Sequence, residues 1–508
     1  MAEISNVFVL MLENHSFDNI FAMSGIPGIG VASLADKNVF GGQDYPVQDG
    51  APINMPTDPG HEFLDVFEQL AGPNAVFNPN QQYASSILNS GFVSNYATTT
   101  TEGKPPQPDD FGKIMACFKT PAQLPVIYQL AKEFAICDQW FSSLPGPTWP
   151  NRFFVHGASS SDLDHSPTDT ELAEWDTIEG FSYPNGSIYD ALNRAGIKWR
   201  LYNDNKDAES DKPENRGGSI AQVAAIRGIR LDLVKSLTDF ASDLQAAYPY
   251  QYTFIEPNYG NILNGTYEGG SSQHPMDDVY GGESLIKLVY EAIRNSPLWN
   301  TSLLIIVYDE HGGFYDSCIP GPVPAPNDVV GHSEYNKYSF NFTQLGVRVP
   351  AVIVSPLIPA GTVDHTTYDH ASVPATVERL WKLKPLTARD MNAADVLALL
   401  TLAIPRTDCP ATLVNPAPPG VKAASAPMGV EPAVTDDQPL PTSGNVRGFL
   451  AIAAKTEVEL SSGTDDEKAA IVQNHHKIKT RGHAKNYVGA VMAKVDVARA
   501  NRVGRYQE

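Results

Sequence analysis

The sequence has little cysteine and no long apolar run. Only 4 of its 508 residues are cysteines, and Cys117, Cys137, Cys318 and Cys409 are not spaced like metal ligands. A chain of this length needs no disulfide bonds to stabilise its core, so we expect buried free thiols, with one disulfide as the alternative. No apolar stretch approaches the roughly 20 residues of a membrane-spanning helix. Contact with a membrane would therefore be peripheral at most.

Basic residues are also scarce. The chain has 36 lysines and arginines against 58 aspartates and glutamates, which gives a formal net charge of −22. Such a charge repels a nucleic acid backbone, so nucleic acid is not an expected partner. An acidic protein that handles a phosphate anion needs a metal ion, histidines or arginines concentrated in one place.

The amino-terminal residues lack the features of a secretion signal. Residues 1–6 contain no basic segment and no small-residue cleavage site, and the apolar run Val7–Leu12 follows at once. We interpret this run as the first core strand. The localisation stays open between the cytoplasm and a mature secreted form.

Short apolar runs alternate with segments of helical periodicity and with loops rich in glycine and proline. This pattern predicts an α/β fold in three layers, α/β/α, around a mainly parallel sheet. The clearest strands are Val7–Leu12, Ser302–Tyr308 and Val349–Ser355. A helix over Glu283–Asn295 is predicted to bury one face, formed by Leu285, Leu288, Val289 and Ala292.

Three long segments fall outside this alternation. Residues 25–112 are loop-like and are predicted to wall a pocket. Residues 407–444 are rich in proline, alanine and threonine, and residues 465–502 have helical character. We therefore predict a main domain over residues 1–405, and a proline-rich linker with a helical tail over residues 406–508. The tail is expected to pack back on the domain; the alternatives are contacts in a homo-oligomer or with an anionic surface.

Polar side chains follow two of the predicted strands. Glu13 and Asn14 follow the first strand, and Asp309 and Glu310 follow the strand Ser302–Tyr308. Because ligands of open α/β sheets bind beyond the carboxyl ends of the strands, we expect both pairs at one crevice. Their carboxylates would repel each other unless a divalent cation bound them. The alternative is a helix cap at Asn14 and a plain turn after Glu310.

The predicted ligands also indicate which cation would bind. Carboxylate and amide oxygens are hard ligands, which favour Ca²⁺, Mg²⁺ or Mn²⁺. Histidines elsewhere in the chain keep Zn²⁺ and iron open.

A rigid loop, residues 144–147, precedes Thr148, where a helix is predicted to begin with Thr148 as its N-cap. The free N–H groups at a helix N-terminus suit a phosphate anion. A hydroxyl in that place can attack phosphorus if a metal ion lowers its pKa. In the alternative interpretation, Thr148 only caps the helix.

Of the 12 histidines, the candidates for contact with a phosphate are His61, His274, His365 and His370. An imidazole can donate a proton to a leaving alkoxide or stabilise negative charge on a phosphoryl oxygen. The alternative for each histidine is an ordinary hydrogen bond within a loop.

Five motifs in a fixed order carry a family resemblance. They are Glu13-Asn-His-Ser-Phe-Asp-Asn-Ile-Phe, Pro147-Thr-Trp-Pro-Asn-Arg, Gln273-His-Pro, Tyr308-Asp-Glu-His-Gly-Gly-Phe-Tyr-Asp and Asp369-His-Ala-Ser-Val. Together they resemble the signature segments of the phosphoesterase family over about residues 7–381. That family contains bacterial and plant non-specific phospholipases C and related acid phosphatases, on an alkaline-phosphatase-like fold.

The resemblance implies roles for individual residues. The implied nucleophile is Thr148. The implied metal ligands are Glu13, Asn14, Asp309 and Glu310. The implied contacts to phosphate or substrate are His61, His274, His365, His370, Asn151 and Arg152. The chain departs from the bacterial phosphatidylcholine-cleaving members, because it shows neither their secretion signal nor their β-rich carboxyl-terminal modules.

The activity expected from this resemblance is hydrolysis of phospholipid phosphodiester bonds through a covalent phospho-threonine intermediate. His274 or His370 would protonate the leaving group. The alternatives are an acid phosphatase acting on soluble phosphomonoesters and a non-catalytic binding member of the fold. Aromatic side chains in residues 63–77 and at Trp140-Phe141 either line an entrance for acyl chains or belong to the core.

Overall fold

The computed structural model describes residues 4–81, 83, 87–100, 105–168, 180–205, 213–328, 335–416 and 435–505. The strands are β1 (Asn6–Leu12), β2 (Lys37–Phe40), β3 (Gln43–Pro46), β4 (Gln48–Asp49), β5 (Ala116–Cys117), β6 (Ala135–Cys137), β7 (Trp199–Asn203), β8 (Lys235–Ser236), β9 (Tyr252–Glu256), β10 (Ser302–Tyr308), β11 (Ala351–Val354) and β12 (Thr362–Asp364). The central sheet of the described residues has eight strands in the order β12-β6-β11-β10-β1-β9-β7-β8.

The sheet is mainly parallel, as predicted. Among its eight strands only β11 runs against the others, antiparallel to both β10 and β6. β1 lies in the middle and pairs in parallel with β10 and β9. All seven residues of β1 and of β10 are buried, which is typical of strands covered by helices on both faces.

The α-helices of the described residues are α1 (Phe17–Phe21), α2 (Phe63–Ala71), α3 (Phe92–Thr98), α4 (Pro125–Glu133), α5 (Thr148–Gly157), α6 (Ile188–Arg194), α7 (Phe240–Gln245), α8 (Tyr280–Arg294), α9 (Ser372–Trp381), α10 (Ala388–Asn392), α11 (Asn445–Leu460), α12 (Asp465–His475) and α13 (Arg481–Arg505). None of these helices has the length and apolar character that crossing a bilayer would require.

Helices cover both faces of the sheet. Phe8 of β1 packs edge-on against Phe240 of α7. The next residue, Val9, pairs in register with Phe254, whose ring packs against His156 of α5. Because successive side chains of a strand point to opposite faces, α7 and α5 lie on opposite sides of the sheet. The three-layer α/β/α prediction is therefore confirmed.

Two predicted elements differ in detail. The strand predicted over Val349–Ser355 is the shorter β11, and the helix predicted over Glu283–Asn295 is α8. Leu285, Val289 and Ala292 are buried in α8 as predicted, but Leu288 is 44% exposed. Leu288 lies about 60° around the helix from Leu285, at the margin of the buried face.

Residues 25–112 form more regular structure than predicted. They contain the β2–β3 hairpin, α2 and α3, and they share a second apolar cluster with Phe340 and Phe342. The aromatic rings of this region pack mainly on one another, and Phe63 contacts Phe77, Tyr83 and Tyr338. Trp140 and Phe141 are also buried. These side chains therefore belong to the core, which was the second of the two interpretations.

The carboxyl-terminal part packs on the main domain, as expected. Residues of α11 and α13, among them Phe449 and Val491, belong to the same apolar core as β1. Residues 407–416 run along α8, where Arg294 donates to the Cys409 carbonyl and Glu291 accepts from the Leu413 amide. The rest of the predicted linker up to residue 434 lies outside the described residues. The domain boundary at residue 405 stays a prediction.

The cysteines are free thiols, as expected. Cys117, Cys137 and Cys409 are buried, and Cys318 is partly buried.

A buried arginine joins the segments that follow the two central strands. Arg348, just before β11, donates from Nε to Asp316 at 3.0 Å and from Nη2 to Asp18 at 3.0 Å. Asp18 lies in α1 after β1, and Asp316 follows β10. Arg348 also donates to the Gly30 and Asp138 carbonyls, so one guanidinium holds four segments of chain.

We predict that Arg348→Met lowers the free energy of unfolding by about 3–5 kcal/mol, because it leaves two buried carboxylates without their cation. Lys37→Met is the control, since the Lys37–Asp44 pair is about half exposed and should contribute about 1 kcal/mol or less. Urea unfolding followed by circular dichroism measures both. Equal effects of the two substitutions would contradict the prediction.

Candidate active site

Two polar pairs meet at the carboxyl ends of β1 and β10. The strands pair in register up to Leu12 and Tyr308, so the residues that follow each strand are neighbours. The Asn14 amide donates to Asp309 Oδ1 at 3.0 Å, and the Glu310 amide donates to the same oxygen at 2.7 Å. The predicted convergence of these residues is therefore present in the fold.

The side-chain amide of Asn14 connects this cluster to Thr148. Asn14 Nδ2 donates to Thr148 Oγ1 at 3.2 Å and also to Glu310 Oε1. Asn14 has a left-handed backbone with φ of 60°, which asparagine tolerates better than most residues. Gly312 packs against it, and a Cβ at Gly312 would lie 2.2 Å from the Asn14 carbonyl oxygen.

Thr148 is the first residue of α5 rather than its N-cap. The cap position is Pro147, which has an extended backbone and leaves the Thr148 hydroxyl free of a capping role. The sequence prediction was therefore one residue off, because Pro147 already ends the rigid loop. Thr148 is buried, and its Oγ1 lies beside the strand-end cluster at the N-terminal end of a helix.

Asn151 holds the loop that precedes Thr148. Its Nδ2 donates to the carbonyls of Leu144, Gly146 and Pro147, and its Oδ1 accepts from the Leu144 amide at 3.1 Å. With both ends of the side-chain amide bonded to backbone, Asn151 positions the loop. A substrate contact by Asn151 stays a prediction.

Arg152 lies beneath the carboxylates. Its Nε donates to Asp309 Oδ2 at 3.0 Å, its Nη2 donates to the Leu12 carbonyl at 3.2 Å, and its guanidinium lies 5.5 Å from the ring centre of Tyr259. Its Nη1 has no hydrogen-bond partner in the described part of the chain. The sequence predicted a substrate contact here, and only Nη1 remains available for one.

Glu13 is a buried carboxylate whose two oxygens lack hydrogen-bond partners of normal geometry among the described residues. Its pKa is raised to about 8, chiefly by burial; the charges of Asp309 and Glu310 add to the rise, and Arg152 opposes it. The pKa of Asp309 is raised to about 6, again chiefly by burial, with Arg152 opposing the rise. Burial thus favours the protonated form of both carboxyl groups, and the Arg152 guanidinium favours the charged form.

The donor atoms fit a divalent cation chemically. The Oδ1 atom of Asn14 has no hydrogen-bond partner within the described ranges, and the Glu13 oxygens have none of normal geometry, although the Ser272 side chain lowers the Glu13 pKa slightly. In those same ranges, no three histidine, cysteine, aspartate or glutamate side chains converge closely enough to form a metal site by themselves. The ligand set of Glu13, Asn14, Asp309 and Glu310 stays a prediction.

His370 supports the cluster from outside. Trp140 Nε1 donates to its Nδ1 at 3.3 Å, so the ring proton is on Nε2, which donates to the Asp309 carbonyl at 2.5 Å. Burial lowers the pKa of His370 to about 4, despite that hydrogen bond. Both ring nitrogens are bonded to protein groups, so His370 positions Asp309. Its role as a proton donor stays a prediction.

His274 and His61 face each other near the cluster, with their ring centres 6.3 Å apart. The Met276 amide donates to His274 Nδ1 at 3.3 Å, and His274 Nε2 has no hydrogen-bond partner among the described residues. Burial lowers the pKa of His274 well below its usual value. Burial also lowers the pKa of His61, but the negative charges of Glu310 and Asp58 have the larger effect. They raise the pKa of His61 to about 9.

His365 does not join the other histidines. Its side chain is 62% exposed and pairs with Asp138 at 2.8 Å. It follows β12, the edge strand, which lies three strands and roughly 14 Å from β10. His370 comes only five residues after His365, but the residues between them run from the sheet edge towards the site, so His370 alone of the two lies beside Asp309.

The sequence interpretation missed Glu256 and Tyr267. Glu256 ends β9, the other neighbour of β1, and accepts from the Gln222 and Val223 amides at 2.5 and 2.7 Å. An acid directly after an apolar strand was the signal used for Glu13, and it would have found Glu256. Tyr267 stacks on His274 with ring centres 3.5 Å apart, and no local pattern in its loop predicts that contact.

Comparison with known proteins gives a consistent set of matches. A model of the phosphoesterase family matches residues 4–384. Non-specific phospholipase C3 of Arabidopsis thaliana is 34% identical over 442 residues, which cover 81% of this chain and 76% of that protein. Non-specific phospholipase C5 of the same plant is 35% identical over 449 residues, with coverage of 81% and 77%.

More distant matches extend to bacteria. Phospholipase C A of Mycobacterium tuberculosis is 27% identical over 401 residues, which cover 73% of this chain and 72% of that protein. Among solved structures, a protein of the alkaline phosphatase superfamily from Vibrio parahaemolyticus is 11% identical. Its TM-score is 0.31, with coverage of 78% of this chain and 70% of that chain. A TM-score this low supports no further conclusion.

We predict that Asn151→Ala lowers the free energy of unfolding by about 2–4 kcal/mol, because several buried backbone groups lose their partner. Asn474→Ala, at an exposed position of α12, is the control and should stay within about 0.5 kcal/mol of wild type. Urea unfolding measures both. An Asn151 variant as stable as the Asn474 variant would show that the loop needs no support.

Proposed function

Because the chain belongs to the phosphoesterase family, and is thus a hydrolase of phosphoric ester bonds, we propose that it is a phospholipase of the C type. It hydrolyses phospholipid phosphodiester bonds through a covalent phospho-threonine intermediate on Thr148. The relatives above 30% identity support this substrate class, since those described are named non-specific phospholipases C. The acid phosphatase alternative has no comparable support among them.

The hydrogen bond between Asn14 and Thr148 carries the assignment of the nucleophile. Thr148 Oγ1 accepts a hydrogen from the Asn14 amide at 3.2 Å, so its own hydrogen is available to leave. The oxygen lies at the first turn of α5, where the helix dipole favours a negatively charged group. An alcohol in this environment is suited to attack phosphorus.

The reaction proceeds in two steps, formation of the phospho-threonine intermediate and its hydrolysis. Thr148 Oγ1 bonds to phosphorus and gives its proton to a carboxylate of the cluster, while the bond from phosphorus to the diacylglycerol oxygen breaks. That oxygen takes a proton from His61, which its raised pKa keeps cationic. Water then attacks phosphorus and gives a proton back to His61, and the bond to Thr148 breaks. The carboxylate returns its proton to Thr148 Oγ1 as the phosphorylated headgroup leaves.

His274 and His61 serve the phosphate in this account. His274 carries its hydrogen on Nε2, the nitrogen without a hydrogen-bond partner in the described residues, and donates a hydrogen bond from there to a phosphoryl oxygen. His61, whose ring centre lies 6.3 Å from that of His274, supplies the proton for the leaving oxygen. Arg152 neutralises Asp309 and keeps Nη1 for the phosphate. His370 and Asn151 position the reacting groups.

A divalent cation belongs to the proposal. Glu13 and Asn14 would hold it together with Asp309 and Glu310, and oxygen ligands favour Ca²⁺, Mg²⁺ or Mn²⁺ over softer ions. When bound, such an ion lowers the pKa of a neighbouring hydroxyl and offsets charge on phosphoryl oxygens. It would also neutralise the buried carboxylate of Glu13, whose oxygens have no hydrogen-bond partner of normal geometry among the described residues.

We predict that Thr148→Ala lowers kcat by at least about 10³-fold, because the oxygen that forms the covalent bond is gone. Thr148→Ser should keep most of the activity, since it retains the hydroxyl. The assay is release of phosphocholine from short-chain phosphatidylcholine, with para-nitrophenyl phosphate as the soluble monoester.

The same assay tests the substrate class. Phosphatidylcholine is expected to be the better substrate by kcat/KM, and the reverse order would favour a phosphomonoesterase. Circular dichroism and melting temperature must match wild type for Thr148→Ala, which keeps the Pro147 cap and the helix. Full activity in that folded variant would remove Thr148 from its role.

We predict that one of Ca²⁺, Mg²⁺ or Mn²⁺ stabilises the protein after chelation, by about 2.7 kcal/mol when its concentration is 100 times Kd. Glu13→Gln should abolish this gain, because it removes the charged ligand. Melting temperature against metal concentration is the measurement, and it needs no enzyme activity.

Glu283→Gln is the matched control for Glu13→Gln. Glu283 is also fully buried, but it accepts from the Val126 and Ile127 amides at 2.7 and 3.0 Å. This variant should keep the stabilisation by metal. No stabilisation of wild type by any of the ions, or the same gain in Glu13→Gln, would contradict the metal site.

A further inference from the structure

The first residue of α11 reaches the active site. Asn445 Oδ1 accepts from Trp149 Nε1 at 2.8 Å, and Asn445 Nδ2 donates to the Tyr267 hydroxyl at 3.0 Å. Trp149 directly follows Thr148 in α5. One amide from the carboxyl-terminal part therefore bonds to both the helix of the nucleophile and a loop of the main domain.

Tyr267 transmits this contact to His274. The two rings are stacked with centres 3.5 Å apart and planes 5° from parallel. The Met276 amide also donates to His274 Nδ1 at 3.3 Å, and His274 Nε2 lies 3.8 Å from Asp58 Oδ1. The Tyr267 ring is the group that covers the face of the imidazole, and it therefore helps to set the direction of Nε2.

The backbone beside these rings is strained. Tyr267 has φ of 55° and Gln273, next to His274, has φ of 69°, in the left-handed region that large side chains rarely adopt. Such strain persists only where the surroundings hold it, and it is concentrated at functional sites. The bond from Asn445 to the Tyr267 hydroxyl is one of the restraints that hold it.

Further contacts of α11 lie on the same side. Gly448 faces Trp149 so closely that a Cβ there would be 2.0 Å from the indole. Phe449 packs on Trp149 and on Tyr259, with ring centres 5.8 and 4.9 Å apart. Tyr259 in turn lies against Arg152. The N-terminal half of α11 thus forms the outer support of the site.

Other anchors of the carboxyl-terminal part are remote from these residues. Arg499 of α13 donates to the Leu231 and Val234 carbonyls at 3.1 and 3.0 Å. Lys455 of α11 donates to the Ile229 carbonyl at 2.7 Å. Attachment of the tail and support of the active site are therefore made by different residues, and substitutions can separate them.

We propose that Asn445 is a positioning residue for the reaction, which sets the direction of His274 through the Tyr267 ring and fixes the start of α5 through Trp149. The proposal rests on the role of His274 given above. It assigns a catalytic purpose to the carboxyl-terminal helices, since the site is incomplete without α11. A shift of about 1 Å in a reacting group can cost about 100-fold in rate.

The test compares Asn445→Ala, Tyr267→Phe, the double variant and Arg499→Ala in the full chain, with short-chain phosphatidylcholine as substrate. Asn445→Ala and Tyr267→Phe should each lower kcat by roughly 10- to 100-fold and leave KM within about twofold. The double variant should be no slower than Asn445→Ala, because Asn445→Ala already removes the bond that Tyr267→Phe removes. Arg499→Ala should keep the wild-type kcat.

Tyr267→Phe keeps the ring and its stacking and loses one hydroxyl, so it carries the test if Asn445→Ala fails to fold. Wild-type kcat in folded Tyr267→Phe overturns the proposal, and so does an equal loss in Arg499→Ala. An inactive wild-type chain would overturn the proposed function instead. The two failures are therefore distinguishable.

Discussion

Three buried carboxylates beside one buried guanidinium are the constraint on which the site depends. Glu13, Asp309 and Glu310 lie at the ends of two neighbouring strands, away from water, and Arg152 is bonded to Asp309 beneath them. Burial of several like charges is costly unless cations compensate them. Burial raises the pKa of Glu13, and Arg152 opposes that rise. A bound cation would complete the balance, and a substrate phosphate would then meet a positive centre in an acidic protein.

Several parts of the fold hold this cluster in place. Parallel register of β1 and β10 makes the strand ends neighbours, and Asn14, in its left-handed conformation, joins them to Thr148. Outside this inner set, Asn151 holds the loop before α5 and His370 holds the Asp309 carbonyl. Positioning residues thus surround the reacting groups, as expected where those groups must be held within fractions of an ångström.

The sequence predicted those features that depend on local pattern. An apolar strand followed at once by acids located Glu13 and Asp309, since strand ends of a parallel sheet meet at one edge. The proline-rich loop located Thr148 to within one residue of its place in the helix. The histidines were harder, because a side chain on a loop is placed by tertiary contacts. His365 lies at the sheet edge, and His370 is fully bonded.

Local sequence pattern could not predict the contacts between residues that are far apart in the sequence. The link from Asn445 to Trp149 spans 296 positions, and that from Asn445 to Tyr267 spans 178. No periodicity or motif around Asn445 signals either contact.

Whether the Thr148 oxygen bonds to phosphorus can be tested directly. The enzyme is quenched with acid during turnover on phosphatidylcholine, and its peptides are analysed by mass spectrometry. We expect a phosphocholine adduct on Thr148 that is absent from Thr148→Ala. An adduct on another residue during active turnover would contradict the covalent intermediate on Thr148.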